Sequence, residues 1–152
     1  MLLDAKASVH AKKHDLMTPL HLAAESGNMA MVQLLLDANA NINEKAEYSW
    51  TPLHSAVIES RTAVVKQLLD AKASVNALDE RERTALHHAA ERCNTVAVQH
   101  LVNAKAIVDY QDVFEKTPLH YAAKHGNSEM IRALLGSSVT FLDWFDTQLC
   151  FS

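Results

Sequence analysis

Paired apolar residues return along the chain at a constant interval of 33 residues, each pair closing a short stretch of amphipathic sequence. The pairs are Leu2-Leu3, Leu35-Leu36, Leu68-Leu69, Leu101-Val102 and Leu134-Leu135. Upstream of these pairs, apolar residues such as Val64 and Val65 complete a single stripe at helical spacing. The pattern therefore predicts one short helix in every period, buried along one face.

A second short helix is predicted in each period from a tetrapeptide that keeps the same interval. Thr-Pro-Leu-His occupies residues 18–21, 51–54 and 117–120, and residues 84–87 repeat it with Ala85 in place of proline. A threonine can accept hydrogen bonds from first-turn amides, and proline loses nothing at the first helical position, where the N–H has no partner. Two helices per period predict an all-α stack in which each unit buries its apolar face on its neighbours.

The Thr-Pro-Leu-His-x-Ala motif at a period of 33 residues resembles the ankyrin repeat family. The resemblance implies an α-solenoid of stacked helix-turn-helix units with projecting β-hairpin loops. In this organisation residues 1–13 are the end of a partial preceding repeat, residues 14–46, 47–79, 80–112 and 113–140 are four repeats, and residues 141–152 are an atypical C-terminal tail. The partial first repeat indicates a segment of a longer array.

The tail has no further copy of the motif. Phe141, Phe145 and Leu149 recur at every fourth residue within it. This spacing favours a helix that caps the last repeat. A disordered or artificially ended tail and a partner-binding element are the alternatives.

Bulk composition removes several classes of protein. Three glycines and three prolines among 152 residues exclude collagen-like and turn-dense all-β chains. A formal net charge of −4 supplies no overall basic field for nucleic acid. With no apolar run near the ~20 residues of a membrane span and no signal-peptide pattern, the sequence predicts no membrane insertion and a cytoplasmic location.

Several positions that are glycine in ankyrin repeats hold other residues here. The slot at the end of the second helix contains Lys6, Asn39, Lys72 and Lys105, the hairpin tip contains Leu16, Ser49, Glu82 and Glu115, and the end of the first helix contains Ser60 and Cys93 beside Gly27 and Gly126. The family conformation at the helix ends is left-handed, which costs a non-glycine residue on the order of 1 kcal/mol. We therefore expect a less stable array with reshaped hairpin tips.

The sequence contains no motif typical of catalysis or metal binding. The histidines of the four motif copies would lie roughly 8–10 Å apart in stacked helices, too far to share a zinc ion. Their expected role is to tie neighbouring repeats by hydrogen bonds, as in the family. Cys93 has no orienting carboxylate at a recognisable spacing, and no phosphate loop or hydrolase motif occurs. The sequence predicts no enzyme, no metal and no cofactor, with a thiol or metal enzyme as a remote alternative.

The resemblance places partner contacts on a concave face made by the hairpin tips and the exposed edge of the first helix. By register, these positions lie four, three and one residues before each motif threonine and seven and eight after it. The candidate partner-binding residues are Met17, Tyr48, Trp50, Ile58, Arg81, Arg83, Arg92, Phe114, Lys116 and Lys124. Exposed aromatic and arginine side chains are typical of binding hot spots. The alternative is that Trp50 or Phe114 folds inward against the neighbouring hairpin.

The predicted function is a non-catalytic protein–protein interaction module within a larger scaffold, receptor, toxin or effector. Its partner is a protein or peptide, and the basic residues suit one with an acidic segment, although nearby glutamates largely neutralise them. A stand-alone stoichiometric enzyme inhibitor of the kinase-binding type is the alternative. Asn43 and Asn76 resemble hairpin asparagines that are hydroxylated in this family, but a purely hydrogen-bonding role is the favoured interpretation.

Overall fold

A computed structural model describes residues 7–136 of the 152-residue chain. Eight α-helices and no β-strand occur in this range. The helices are α1 (Pro19–Ser26), α2 (Met29–Asp37), α3 (Pro52–Ile58), α4 (Thr62–Asp70), α5 (Ala85–Glu91), α6 (Thr95–Asn103), α7 (Pro118–His125) and α8 (Ser128–Leu135), with a short 3₁₀ turn at Glu47–Ser49. The all-α class and the two helices per period are confirmed.

The helices stack in two layers. The first helices α1, α3, α5 and α7 pack on one another in chain order, and the second helices α2, α4, α6 and α8 do the same. Each first helix also packs on the second helix of its own repeat. The interior between the layers contains fully buried Leu20, Leu53 and Leu86 from the first helices, with Leu68 and Leu101 from the second. The predicted solenoid is therefore confirmed, with the core running along its length.

Each first helix begins at a threonine whose histidine partner lies three residues on. In the second repeat, the Thr51 hydroxyl accepts a hydrogen bond from the His54 backbone N–H at 3.4 Å, and the Thr51 N–H donates to His54 Nδ1 at 3.2 Å. With Nδ1 acting as acceptor, the ring proton is on Nε2, which donates to the Arg83 carbonyl at 3.3 Å. His21 and His87 reach the Trp50 and Lys116 carbonyls at 3.0 Å in the same way. The motif histidines of the first three repeats thus tie each of these repeats to the next.

The turns adopt left-handed backbone conformations at the positions that are glycine in the ankyrin pattern, including those where this chain has another residue. Gly27 and Gly126 end their helices with φ of 77° and 65°, and Ser60 and Cys93 do so with 56° and 55°. The remaining non-glycine residues are Asn39, Lys72 and Lys105 after the second helices (φ 63°, 68° and 67°) and Leu16, Ser49, Glu82 and Glu115 at the tips (63°, 58°, 56° and 59°). The left-handed positions at the helix ends are confirmed, and the hairpin tips are left-handed as well; Lys6 lies outside the described residues.

Hairpin loops project between the repeats and bond to one another through the backbone. The Glu47 N–H donates to the Asp15 carbonyl at 3.0 Å, and the Glu80 N–H donates to the Tyr48 carbonyl at 3.1 Å. These bonds set consecutive tips side by side. The repeat boundaries stay a prediction, because a period has no intrinsic starting point. The predicted capping helix falls outside residues 7–136, which the structure describes.

Candidate partner-binding surface

A small cleft opens where the hairpins of the first two repeats meet helices α1 and α3. It has a volume of about 190 Å³. Its lining residues are Asp15, Met17, Glu25, Ala46, Glu47, Tyr48, Trp50, Ser55, Ile58 and Glu59. Four of the candidate binding residues, from two different repeats, therefore line one cavity.

The aromatic side of this cleft has a fixed arrangement. The Trp50 ring centroid lies 5.6 Å from that of Tyr48, and 6.3 Å from that of His88 in an edge-on contact. Trp50 is half-buried, whereas Tyr48 is 52% exposed. The packing of Trp50 on His88 corresponds in part to the inward-folded alternative considered from the sequence. The Trp50 side chain nevertheless lines the cleft. Such aromatic pairs add about 0.5–1.5 kcal/mol each beyond their buried area, so the indole is held in place.

The second hairpin has an unusual tip. Tyr48 and Ser49 are both left-handed, with φ of 59° and 58°, whereas the tips of the other repeats contain one such residue each. A left-handed tyrosine costs roughly 1–2 kcal/mol. This strained residue lines the cleft. Strained backbone conformations tend to cluster at functional sites.

An aspartate at the base of the third and fourth hairpins binds the tip of each. In the third repeat, Asp79 Oδ1 accepts from the backbone N–H groups of Arg81 and Arg83 at 2.8 and 2.9 Å. Asp112 binds the tip of the fourth repeat in the same way. The first and second repeats have Lys13 and Ala46 at this position, and neither has a carboxylate to bind the tip. The first tip contains a single left-handed residue, Leu16, so the missing carboxylate alone does not set the conformation of Tyr48.

Asp79 also organises a buried polar cluster. Its Oδ2 accepts from His88 Nε2 at 2.9 Å and lies 3.3 Å from Arg83 Nε, and Arg83 Nη1 lies 3.1 Å from the Glu91 carboxylate. Burial raises the pKa of Asp79, but the hydrogen bonds from His88 and from the backbone of Arg83 and Arg81 outweigh it and hold that pKa well below its usual value. The Arg83 side chain, 13% exposed, therefore pairs with two carboxylates of its own chain.

The comparison with protein families agrees with this architecture. The family model for ankyrin repeats, which contains three copies, matches residues 1–79 and again residues 62–143. The chain belongs to the ankyrin-repeat family. Ankyrin repeats are in general protein–protein interaction modules and are typically non-catalytic. No curated protein matches the chain.

The other candidate residues of this ankyrin-repeat chain lie away from the cleft. Phe114 is 60% exposed on the fourth hairpin, and Lys116 places its ammonium group 5.8 Å from the centre of the Tyr121 ring. The Tyr121 hydroxyl donates to Asp112 at 2.6 Å, and burial together with this bond raises the pKa of Tyr121 to about 12. The remaining basic candidates, Arg81, Arg92 and Lys124, are exposed.

Both candidate hydroxylation sites use their side chains to connect repeats. Asn43 Oδ1 accepts from the Ser74 N–H at 2.8 Å, and Asn76 Oδ1 accepts from the Ile107 N–H at 2.9 Å. These bonds supply the structural role that the sequence favoured. Hydroxylation at the two asparagines stays a prediction.

Sequence reasoning missed three features of the surface: the Asp79 cluster, the left-handed Tyr48, and Ser55. Asp79 and Asp112 stand five residues before the threonine of their repeats. That shared offset is a signal from which their common role could have been found. Ser55 carries no such signal, because only the folded structure shows that it lines the cleft.

Residues 7–136 contain neither a metal-binding cluster nor a membrane-spanning helix. In that range, no group of three or more histidine, cysteine, aspartate or glutamate side chains is placed to hold a metal ion. Among the helices described, none has the length and apolar character needed to cross a membrane.

Proposed function

We propose that this chain is a non-catalytic binding module whose protein partner docks on the concave face, with the cleft of the first two repeats as the centre of contact. The observation that carries the proposal is the convergence of Met17, Tyr48, Trp50 and Ile58 on one cavity. Tryptophan and tyrosine in a concave site are the usual hot-spot residues of interfaces.

The third and fourth repeats extend this contact as its rim. Arg81, Arg92, Phe114, Lys116 and Lys124 are exposed there, and their positive charges suit an acidic stretch of the partner. Arg83 contributes by fixing the third hairpin through Asp79. A module of this kind fits within a larger scaffold, receptor, toxin or effector.

The inhibitor alternative lacks a specific supporting feature. The ankyrin-type kinase inhibitors have a shortened first helix in their second repeat. Helix α3 has seven residues, the same length as α5, so the second repeat is not shortened relative to the third. We therefore retain the docking module as the proposed function.

The test begins with affinity capture of the partner from the native source and its identification by mass spectrometry. Calorimetric titration of that partner then compares the wild type with Trp50→Ala and Tyr48→Ala. We expect Trp50→Ala to weaken binding by about 30-fold or more, the range of a hot-spot residue. Leu34→Ala is the matched control, because Leu34 is 63% exposed but lies on the second-helix layer.

Thermal melting followed by circular dichroism must show that each variant is folded. The control variant should bind within about twofold of the wild type, since scattered exposed apolar residues contribute little. If both aromatic variants bind the partner as tightly as the wild type, the cleft is not the docking site and the proposal fails.

A further inference from the structure

We propose that the cleft receives one cationic side chain, an arginine or a lysine, from the docked segment of the partner. This inference rests on the proposed function and specifies the chemistry of its central contact. All the ionisable groups that line the cleft, apart from the Tyr48 phenol, are carboxylates: Asp15, Glu25, Glu47 and Glu59. The cleft is therefore aromatic on one side and negatively charged around its edge.

Within residues 7–136, three of these four carboxylates have no ion-pair partner. Glu25, Glu47 and Glu59 are exposed, and none of the ion pairs found between residues 7 and 136 includes them. Asp15 lies 3.5 Å from the Lys13 ammonium group. The nearby Arg61 donates through Nε to the backbone carbonyl of Glu25 at 2.9 Å. Negative potential concentrated in a concave site attracts a cation.

A buried hydroxyl in the cleft supplies a second, independent indication of a ligand. Ser55 is 4% exposed and lines the cavity, and within the described residues its Oγ has no hydrogen-bond partner. Buried polar groups are nearly always paired, and an unpaired one costs about 1–3 kcal/mol. A serine oxygen can accept a hydrogen bond from a guanidinium or ammonium group. A cationic side chain entering the cleft would therefore satisfy both Ser55 and the carboxylates.

The size of the cleft fits a single long side chain. A volume of about 190 Å³ corresponds to roughly six water molecules, below the ~300 Å³ at which small-molecule sites begin. Met17 and Ile58 offer apolar contacts for the methylene stem, and the rings of Tyr48 and Trp50 can face the cation. A neutral aliphatic side chain would leave the carboxylates and Ser55 unpaired, and an acidic one would be repelled. Only arginine and lysine combine a long apolar stem with a positive charge.

The direct test uses nuclear magnetic resonance with ¹⁵N-labelled protein at low salt. The probe is a capped seven-residue peptide of glycine, serine and alanine with one central arginine, and its matched versions have citrulline or glutamate in that place. The indole N–H of Trp50 and the backbone amides of Tyr48 and Ser55 report binding, and Trp50→Phe identifies the indole signal against that of Trp144. We expect saturable shifts with arginine, at least tenfold weaker affinity with uncharged citrulline, and no shift with glutamate.

A charge-matched pair of variants separates the cleft from the overall charge of the protein. Glu47→Gln combined with Glu59→Gln should weaken binding of the arginine peptide by about five- to tenfold, because the variant removes two exposed charges that attract the cation. Glu115→Gln combined with Glu129→Gln changes the net charge equally, on exposed residues outside the cleft, and should leave affinity within twofold. The four residues are exposed, so neither variant threatens folding.

Three results would overturn the inference: equal binding of the arginine and citrulline peptides, tighter binding of the glutamate peptide, or equal losses in the two double variants. Absence of any shift with the arginine peptide would also reject it. The proposed function fails separately. If the arginine peptide does not bind but Trp50→Ala still abolishes binding of the natural partner, docking on the cleft stands and only the cationic side chain is rejected.

Discussion

Mild acid should destabilise the protein well before its carboxylates are protonated, because the histidines that tie the repeats must be neutral. His54 Nδ1 accepts from the Thr51 N–H, and its Nε2 donates to the Arg83 carbonyl in the next repeat. A protonated imidazole carries hydrogen on both nitrogens, so it has no lone pair for the Thr51 amide. Each protonation of a motif histidine therefore breaks a cap within one repeat.

The pKa of His54 sets the size of this effect. Burial and, to a smaller extent, repulsion from His88 lower the pKa of His54 from 6.5 to about 4. The hydrogen bond to the Arg83 carbonyl raises this pKa but is outweighed. At ~1.4 kcal/mol per pH unit, the difference of roughly 2.5 between the two pKa values corresponds to about 3–4 kcal/mol of the free energy of unfolding. Burial also lowers the pKa values of His21 and His87, so they add to this loss.

The sign and the pH window follow from the direction of these shifts. The folded protein binds the proton less tightly than the unfolded chain, so the histidine contribution is complete above about pH 6.5 and is lost as the pH falls towards about 4. The pKa values of Asp79 and Asp112 are also lowered, but from 3.8. Their contribution is present above about pH 4 and is lost only in stronger acid. The two effects therefore occupy different parts of the pH scale.

Urea unfolding followed by circular dichroism, repeated between about pH 7.5 and pH 4, measures the loss directly. His54→Gln should be less stable at neutral pH but should show a flatter pH dependence, because one of the titrating groups is gone. His14→Gln, at an exposed hairpin position, should follow the wild-type curve. An unfolding free energy that stays within about 0.5 kcal/mol between pH 7 and pH 4.5 would refute the reasoning.

Two substitutions test the backbone and the polar cluster. Lys72→Gly removes a left-handed non-glycine residue (φ 68°) and should stabilise the protein by about 0.5–1 kcal/mol, raising the melting temperature by a few degrees. Gln99→Gly, in the middle of α6, is its control and should destabilise by about 1 kcal/mol; effects of the same sign in thermal melting would contradict this account. Asp79→Ala leaves His88 and two tip amides without their acceptor, so we expect a loss of about 3–5 kcal/mol in urea unfolding, and a loss below 1 kcal/mol would be inconsistent with a buried ion pair.

Much of the fold could be predicted because its determinants are local and recur. The threonine and histidine of one motif copy lie three residues apart, so their cap depends on neighbouring residues only. The left-handed backbone at Ser60 and Cys93 follows equally from their register with Gly27 and Gly126. The same register indicated that Trp50 and Ile58 belong to the concave face. Periodicity extends such local information to every repeat.

The details of the site could not be predicted, because they depend on residues that differ between repeats. Arg83 looked like a free basic residue until the folded chain placed it against Asp79 and Glu91. The second tip has two left-handed residues, Tyr48 and Ser49, where each of the other tips has one. Neither fact follows from the 33-residue period, since each is a departure from it.

The sequence by itself therefore determined the ankyrin fold, the helix pairs and the histidine ties, and it supplied the positions proposed to face a partner. All of these follow from hydrogen bonds and apolar spacing within one repeat or between equivalent positions of two. Only the tertiary structure decided that Met17, Trp50 and Ser55 share one small cleft edged with carboxylates. The charge of a site and its unpaired polar atoms depend on which side chains lie together there. The fold of each hairpin decides which side chains those are.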